Sequence, residues 1–282
     1  MNAKRVSFSL VLLVVFSLFS CTEEKTAKKI KLGNEQWAVS RAMNYLGKVV
    51  LEKNGFDAEI VDADIESIYN NLNSGKIDLF LDTWVEGHSV YLYDFKDVED
   101  IGAIYKGCKL GIAVPSYFDV DSISDLLADS ASYNNLFYGE DKDAGVMISA
   151  RTAMGIYGLN PEIVYMPEDQ LVTQMELMVN QKQNFVAAAW IPHWKNLKFN
   201  LKFLVDTTHS FIENDEIHKY ARAGFQKDYP EASALLSKIT FSEDEMSAYL
   251  LALEGANKPA DIEARITKWM DENKEKTAAW VK

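Results

Sequence analysis

At 282 residues the chain allows one to two domains, and with 48 % apolar and 25 % charged residues it can bury a core, which excludes global disorder. Forty-two acidic residues against 29 basic ones give a formal charge of −13. Binding a nucleic-acid backbone takes Lys and Arg to neutralise phosphates, so that class is excluded too. Two cysteines, Cys21 and Cys108, are too few for a disulfide framework or a thiolate zinc cage.

In chain order, Lys4 and Arg5 precede an uncharged apolar run from Val6 to Phe19. As a helix this run spans roughly 21 Å, short of the ~30 Å hydrocarbon core, so a signal-peptide h-region fits better than a membrane span. It ends in Leu18-Phe19-Ser20-Cys21, which resembles the lipobox of bacterial lipoproteins. That resemblance implies a signal peptide over 1–20, cleavage before Cys21, and a lipidated Cys21 that leaves Cys108 as the remaining thiol. Residues 21–28 are polar and read as a tether.

From Lys29 the pattern is β-α-β. Ile30-Lys31-Leu32 is a short strand ended by Gly33, and Val39, Ala42, Met43, Leu46, Val49 and Val50 recur at helical spacing until Gly55. A strand over Ala58 to Val61, a helix carrying Ile65, Ile68, Tyr69 and Leu72, and a strand over Ile77 to Leu81 follow. The last opens into Asp82-Thr83-Trp84. A second set repeats the scheme: strand Leu110 to Val114, short helix Ile123 to Leu127, strand Leu136 to Tyr138, helix Gly145 to Tyr157. Strand Ile163 to Tyr165, a helix striped by Leu171, Met175, Met178 and Val179, and strand Phe185 to Ala189 lead into Trp190-Ile191-Pro192-His193-Trp194. After strand Leu201 to Val205 the chain reads as mainly helical, with Met246, Leu250 and Leu253 on one face and a last helix from Pro259 to about Trp280.

Strands alternating with helices predict mostly parallel sheets flanked by helices. The two sets echo each other, each ending in a Trp at a strand's carboxyl end, where open α/β sheets bind ligands. No GxGxxG, GxxxxGK[ST], HExxH or GxSxG is present, and His193 and His209 are isolated, so the case for an enzyme or a metal cage is thin. The acidic runs at Asp141/Asp143 and Glu243-Asp244-Glu245 read as helix caps and solvated faces, as do the scattered acids. Trp37, Trp84 and Trp190 stand out together. Singly each reads as a core residue; at one topological level they suit a box of aromatic faces for a quaternary ammonium, which cannot donate hydrogen bonds.

The stretch from Lys31 to about Leu253 resembles the substrate-binding proteins of glycine betaine/choline-type ABC importers. The resemblance rests on Gly33-Asn34-Glu35-Gln36-Trp37, Asp82-Thr83-Trp84, Gly111-Ile112-Ala113-Val114-Pro115, Gly145-Val146-Met147 and, most distinctively, Trp190-Ile191-Pro192-His193-Trp194 with the following Leu201–Asp206 segment. It implies a two-lobed α/β periplasmic-binding-protein fold of type II. On that expectation residues 29–107 and 203–282 form one lobe, and 108–202 the other. It implies an aromatic cage of Trp37, Trp84 and Trp190, with His193 and the Gly33-Asn34 backbone holding a ligand carboxylate. Choline-preferring relatives carry a Tyr where this chain has Leu110. Asp82 is expected to orient the Trp84 loop, Glu86 and His88 to lie at the rim, and Trp194 to pack. The implied function is capture of glycine betaine, with choline or carnitine next, for an ABC permease. The chain would act as a monomer, lipid-anchored in the cell envelope outside the cytoplasm, with no metal, cofactor or nucleic acid. A small amino acid as ligand would need an Arg clamp, and none is expected near the Trp loops; an enzyme acting on a small amine is the reading from another class.

Overall fold

The computed structural model describes residues 29–93, 97–142 and 144–282; the signal peptide, the tether, Cys21 and Asp143 lie outside them. Strands Ile30–Asn34 (β1), Ala58–Asp62 (β2) and Leu79–Trp84 (β3) pair in parallel, with helices Ala38–Lys53 (α1) and Ile65–Asn73 (α2) as their crossovers. The alternation of β3 explains why both crossovers are needed. Leu79 and Leu81 join the large core under α1, while Phe80 turns to a smaller cluster with Ile68, Tyr69, Leu72 and Ile77 under α2. All six residues of β3 are buried, which is why its first three, Leu79-Phe80-Leu81, are apolar without alternation.

After the short helix Ser89–Leu92 (α3) comes a 17-residue strand, Glu99–Pro115 (β4). Its second half was expected from sequence and its first half was not. Asp100, Lys106, Gly102 and Gly107 break the apolar alternation, and the last two sit at φ +103° and +92°, where glycine is favoured. The register against its partner slips between Asp100 and Ala103, between Lys106 and Cys108 and at two further points. These are bulges that bend a long strand.

The second half of the fold repeats the first. Helix Asp125–Ala128 (α4) leads to strands Leu136–Gly139 (β5) and Glu162–Tyr165 (β6), joined by Gly145–Tyr157 (α5). Helix Glu168–Asn180 (α6) then crosses to strand Val186–Ile191 (β7); β5 pairs in parallel with β6 and β7. Helix Trp194–Lys198 (α7) and strand Leu201–Phe203 (β8) follow. The predicted Gly145–Tyr157 helix has those bounds, and Gly158 ends it at φ +70°.

The segment after Asp206 corrects the sequence reading. It is not mainly helical at first: Glu213–Ala221 (β9) is a strand paired antiparallel with both β3 and β4. Its buried face carries Asp215, Ile217, Lys219 and Ala221, so half of the inward positions are charged and no apolar period shows. Each charge is satisfied. Asp215 accepts the Glu86 and Gly87 N–H groups, and the Lys219 ammonium donates to the Ala103 and Ile239 carbonyls at 2.8 Å. The helices Phe225–Asp228 (α8), Pro230–Leu236 (α9), Glu243–Ala252 (α10), Pro259–Glu272 (α11) and Lys274–Thr277 (α12) complete the chain. Glu245 closes a capping box with Ser242, as expected of that acidic run. The terminal helix breaks at Asn273, and Trp269 and Trp280 on either side pack into the core.

The strand order is β2-β1-β3-β9-β4-β7-β5-β6, with β8 on β4. Parallel trios (β2-β1-β3 and β7-β5-β6) lie at the two ends, and the antiparallel β9 and β4 run between them. Residues Glu99 to Lys109 of β4 pair with β9, and Lys109 to Ala113 pair with β7. The architecture is therefore two α/β halves joined through long shared strands.

Candidate functional site

Trp84 ends β3 and Trp37 stands immediately before α1, three residues beyond β1. Because β1 and β3 run parallel, these two rings share one end of the first half. Trp190 occupies the penultimate position of β7, in register with Leu110 of β4. Trp84 and Trp190 are each 8 % exposed, and Trp37 is half-buried.

Polar contacts hold Trp84 in place and link the Trp190 end to the residue after Trp37. The Trp84 indole N–H donates to Asp82 Oδ1 at 3.2 Å, which fixes the ring as expected of Asp82. His193 meets the edge of Trp190 at 5.1 Å between ring centroids. Its Nδ1 accepts the Lys195 N–H at 2.9 Å, capping α7, so the ring proton sits on Nε2 and is donated to Glu168 Oε1 at 2.6 Å. The other Glu168 oxygen accepts the Ala38 N–H at 3.0 Å, the residue next to Trp37. Glu168 thus bridges the halves. Helix α1 has no acidic residue in its own first turn, and the orphan N–H and positive end of its dipole are met by a carboxylate from α6.

His193 does not stand as the free donor that the resemblance implied for a ligand carboxylate. Both ring nitrogens are engaged, and burial, with Lys195 nearby, lowers its pKa to about 4 against the pull of Glu168. The ring is neutral and serves Glu168. Gly33 and Asn34 lie within β1, opposite Val61 and Asp62. A Cβ at Gly33 would meet Ile77 Cδ1 at 2.8 Å, so this glycine is explained by packing. The Asn34 side-chain amide donates to Asp62 Oδ1 at 2.6 Å, and its own Oδ1 is buried without a partner. His88 is not at the rim. It is 8 % exposed, accepts the Trp84 N–H on Nδ1 at 3.2 Å, lies 3.0 Å from the Tyr69 hydroxyl, and burial lowers its pKa to about 3. Glu86 is exposed, and Trp194 packs on Phe199. An arginine does lie near a Trp loop: Arg41 donates to the Gln36 carbonyl beside Trp37.

Several charged residues in this region are buried, some of them among the acids that sequence reading placed on solvated faces. Glu35, two residues before Trp37, is 6 % exposed, and burial, with Asp64, pushes its pKa up to about 8. Burial, then the charges of Glu35 and Glu168, holds Asp82 well above the ordinary carboxylate range. Glu140, at the end of β5, is pushed up to about 8 by burial against the pull of Lys195. Glu168 alone is lowered: burial opposes it, but the bonds from His193 and Ala38 and the charge of Lys195 outweigh that. Lys195 is fully buried, and burial lowers its pKa to about 8 while Glu140 and Glu168 act the other way. Burial thus favours the neutral form of Glu35, Asp82 and Glu140, while Glu168 keeps its charge beside the Lys195 ammonium and the neutral His193 imidazole. A groove of about 300 Å³ opens beside the Glu168 bridge, lined by Ala38, Arg41, Glu168, Val172, Trp194 and Leu250 among others. Among the described residues there is no cluster of His, Cys, Asp and Glu placed to hold a metal ion, and no helix long and apolar enough to cross a membrane.

Two α/β halves joined through shared strands, with aromatic rings and buried polar groups meeting between them, define a type II solute-binding protein of the periplasmic-binding-protein class. The chain belongs to the family OpuAC, the substrate binding domain of ABC-type glycine betaine transport systems, whose match covers residues 28–272. The curated glycine betaine/carnitine transport binding protein GbuC of Listeria monocytogenes serotype 1/2a (strain 10403S) is 29 % identical over 150 residues, 52 % of this chain and 49 % of that protein. The match thus spans about half the length of that relative. The crystal structure of the glycine betaine, L-proline ABC transporter binding protein ProX from Borrelia burgdorferi superposes with a TM-score of 0.79 at 28 % identity, covering 90 % of this chain and 97 % of that one. Lactococcal OpuAC, in its closed conformation with glycine betaine, gives 0.79 at 25 % identity, covering 90 % and 100 %. These relatives are substrate-binding proteins of transport systems.

Proposed function

We propose that this chain captures a compact quaternary ammonium osmolyte, glycine betaine first, between its halves and delivers it to an ABC permease. What supports the reading is that Trp37 and Trp84 lie at one end of the first half, Trp190 lies at a strand end of the second, and Glu168 links the second half to the residue after Trp37. Aromatic faces attract a quaternary ammonium at about 0.5–2 kcal/mol each when desolvated, so three supply much of the roughly −8 kcal/mol of a micromolar site. The relatives named for glycine betaine support it. In this reading the chain binds its ligand without turning it over and acts as a monomer. Choline is the second reading. It presents the same trimethylammonium group to the rings.

In this reading 29–107 with the returning C-terminal segment forms one lobe and the chain from Cys108 the other. The changeover in β4 pairing at Cys108 and Lys109 supports the first crossing. The second crossing falls later than 202/203, because the Leu204 and Val205 N–H groups still bond Ile112 and Asp121. Closure brings Glu168 onto α1.

A thermal-shift panel of glycine betaine, choline, carnitine and proline tests the ligand. Ligand at a thousandfold over its Kd stabilises the folded state by about 4 kcal/mol, so glycine betaine raises the melting temperature by several degrees and proline does not. No shift with any quaternary amine would sink the reading. Lipid anchoring at Cys21 is tested separately: Cys21→Ser moves the protein from the membrane to the soluble fraction with ligand affinity unchanged, and a variant that stays in salt-washed membranes argues against the anchor.

A further inference from the structure

Lys195, in the first turn of α7, is fully buried, and its ammonium has no hydrogen-bond partner. An ammonium carries three donors, and burying it unpaired is among the costlier arrangements a fold can hold. What it does have is the Trp190 ring, with Nζ 3.1 Å from the centroid. One of the three rings assigned to the ligand's cation therefore already carries a cation of the chain's own. Across from it Glu140, at the end of the neighbouring strand β5, is 5 % exposed and has one carboxylate oxygen, Oε1, likewise without a partner. Each favours the other's charged form against burial, with no bond between them. The other donors nearby are committed: His193 Nε2–H to Glu168, the Asn196 amide to the Trp190 carbonyl, and Arg41 to the Gln36 carbonyl.

We propose that Lys195 determines specificity: its ammonium receives the carboxylate of a zwitterionic ligand and, where the ligand has no carboxylate, competes with the ligand's own cation for the Trp190 ring. The inference rests on the quaternary-ammonium reading above and goes beyond it by assigning the discrimination to a residue. A carboxylate satisfies donors that the fold leaves open. Choline brings a second cation to a ring already taken and leaves the Lys195 donors unpaired. Glu140 and Glu168 favour the charged lysine against burial.

The experiment is calorimetric titration of the whole chain and of Lys195→Met and Lys195→Arg with glycine betaine and with choline chloride. Methionine keeps the length and apolar packing of the stem. The expected result is a betaine-preferring wild type, a Lys195→Met that loses at least about tenfold for betaine and none for choline, and a Lys195→Arg that keeps the preference. A betaine-to-choline ratio that Lys195→Met leaves unchanged overturns the proposal while the binding function stands. A wild type that prefers choline does the same. A wild type that binds neither ligand removes both. Should Lys195→Met fail to fold, titration of the wild type at pH 8 in two buffers of different ionisation enthalpy decides. Betaine, pairing with Lys195, takes up more protons than choline, which faces the same Glu140, Glu168 and His193; equal proton exchange overturns the assignment.

Discussion

Trp190→Leu weakens quaternary ammonium binding at least a hundredfold in a chain that still folds. A hundredfold is about 2.7 kcal/mol, near the upper range for one desolvated cation–π face together with the lost apolar contact. Leucine suits the test better than alanine. Truncating a buried Trp to Ala commonly costs about 3–5 kcal/mol of stability, whereas Leu keeps apolar volume beside His193 and Leu110 and removes only the ring. The Asn196 bond to the backbone carbonyl of residue 190 survives the change. Calorimetric Kd with a circular-dichroism melt separates binding from folding. A variant that melts like the wild type and binds like it would remove Trp190 from the cage.

Glu168→Ala acts on closure instead of on contact with ligand. It strips the acceptor from two buried donors, His193 Nε2–H and Ala38 N–H. Each is left at about 1–3 kcal/mol, and the negative charge that meets the α1 dipole goes too. The Ala38 bond exists only when the halves are together, so that part of the loss falls on the closed state. Apparent affinity drops with the population of the competent conformation. The expected effect is a ten- to thousandfold weaker Kd and a smaller ligand-induced contraction in solution scattering, with Glu168→Gln between the two. Unchanged Kd and contraction in both variants would show that this bridge carries no part of closure.

These two residues mark how far sequence could be read. Trp190 is legible because a large aromatic closing an apolar run at a strand end is visible as pattern. Glu168 looks like any acid in a first helical turn, and Glu35, Glu140 and Lys195 look like solvated charges. Nothing local says that a residue 130 positions away will cover them. The same physics hid β9: Asp215 and Lys219 occupy core-facing positions because backbone groups from Glu86, Gly87, Ala103 and Ile239 satisfy them. Burial of a charge is decided by tertiary partners, so propensity and periodicity pass over it. The parallel units were legible because their crossovers keep a strict apolar face; α5 matched to the residue, and the first half of β4, bulged and glycine-broken, did not.

The unbroken hydrogen-bonded path from β2 to β6 has a thermodynamic corollary. Were each half a separate sheet, either could melt while the other stood. Here β4 belongs to both, pairing with β9 over Glu99–Lys109 and with β7 over Lys109–Ala113, so loss of one half strips ladder bonds from the other. Within the first half the C-terminus is tied back, since Asn54 after α1 accepts the Lys282 N–H and donates to the Trp280 carbonyl. One continuous sheet predicts a single cooperative unfolding transition for both halves, which calorimetry would read as one peak.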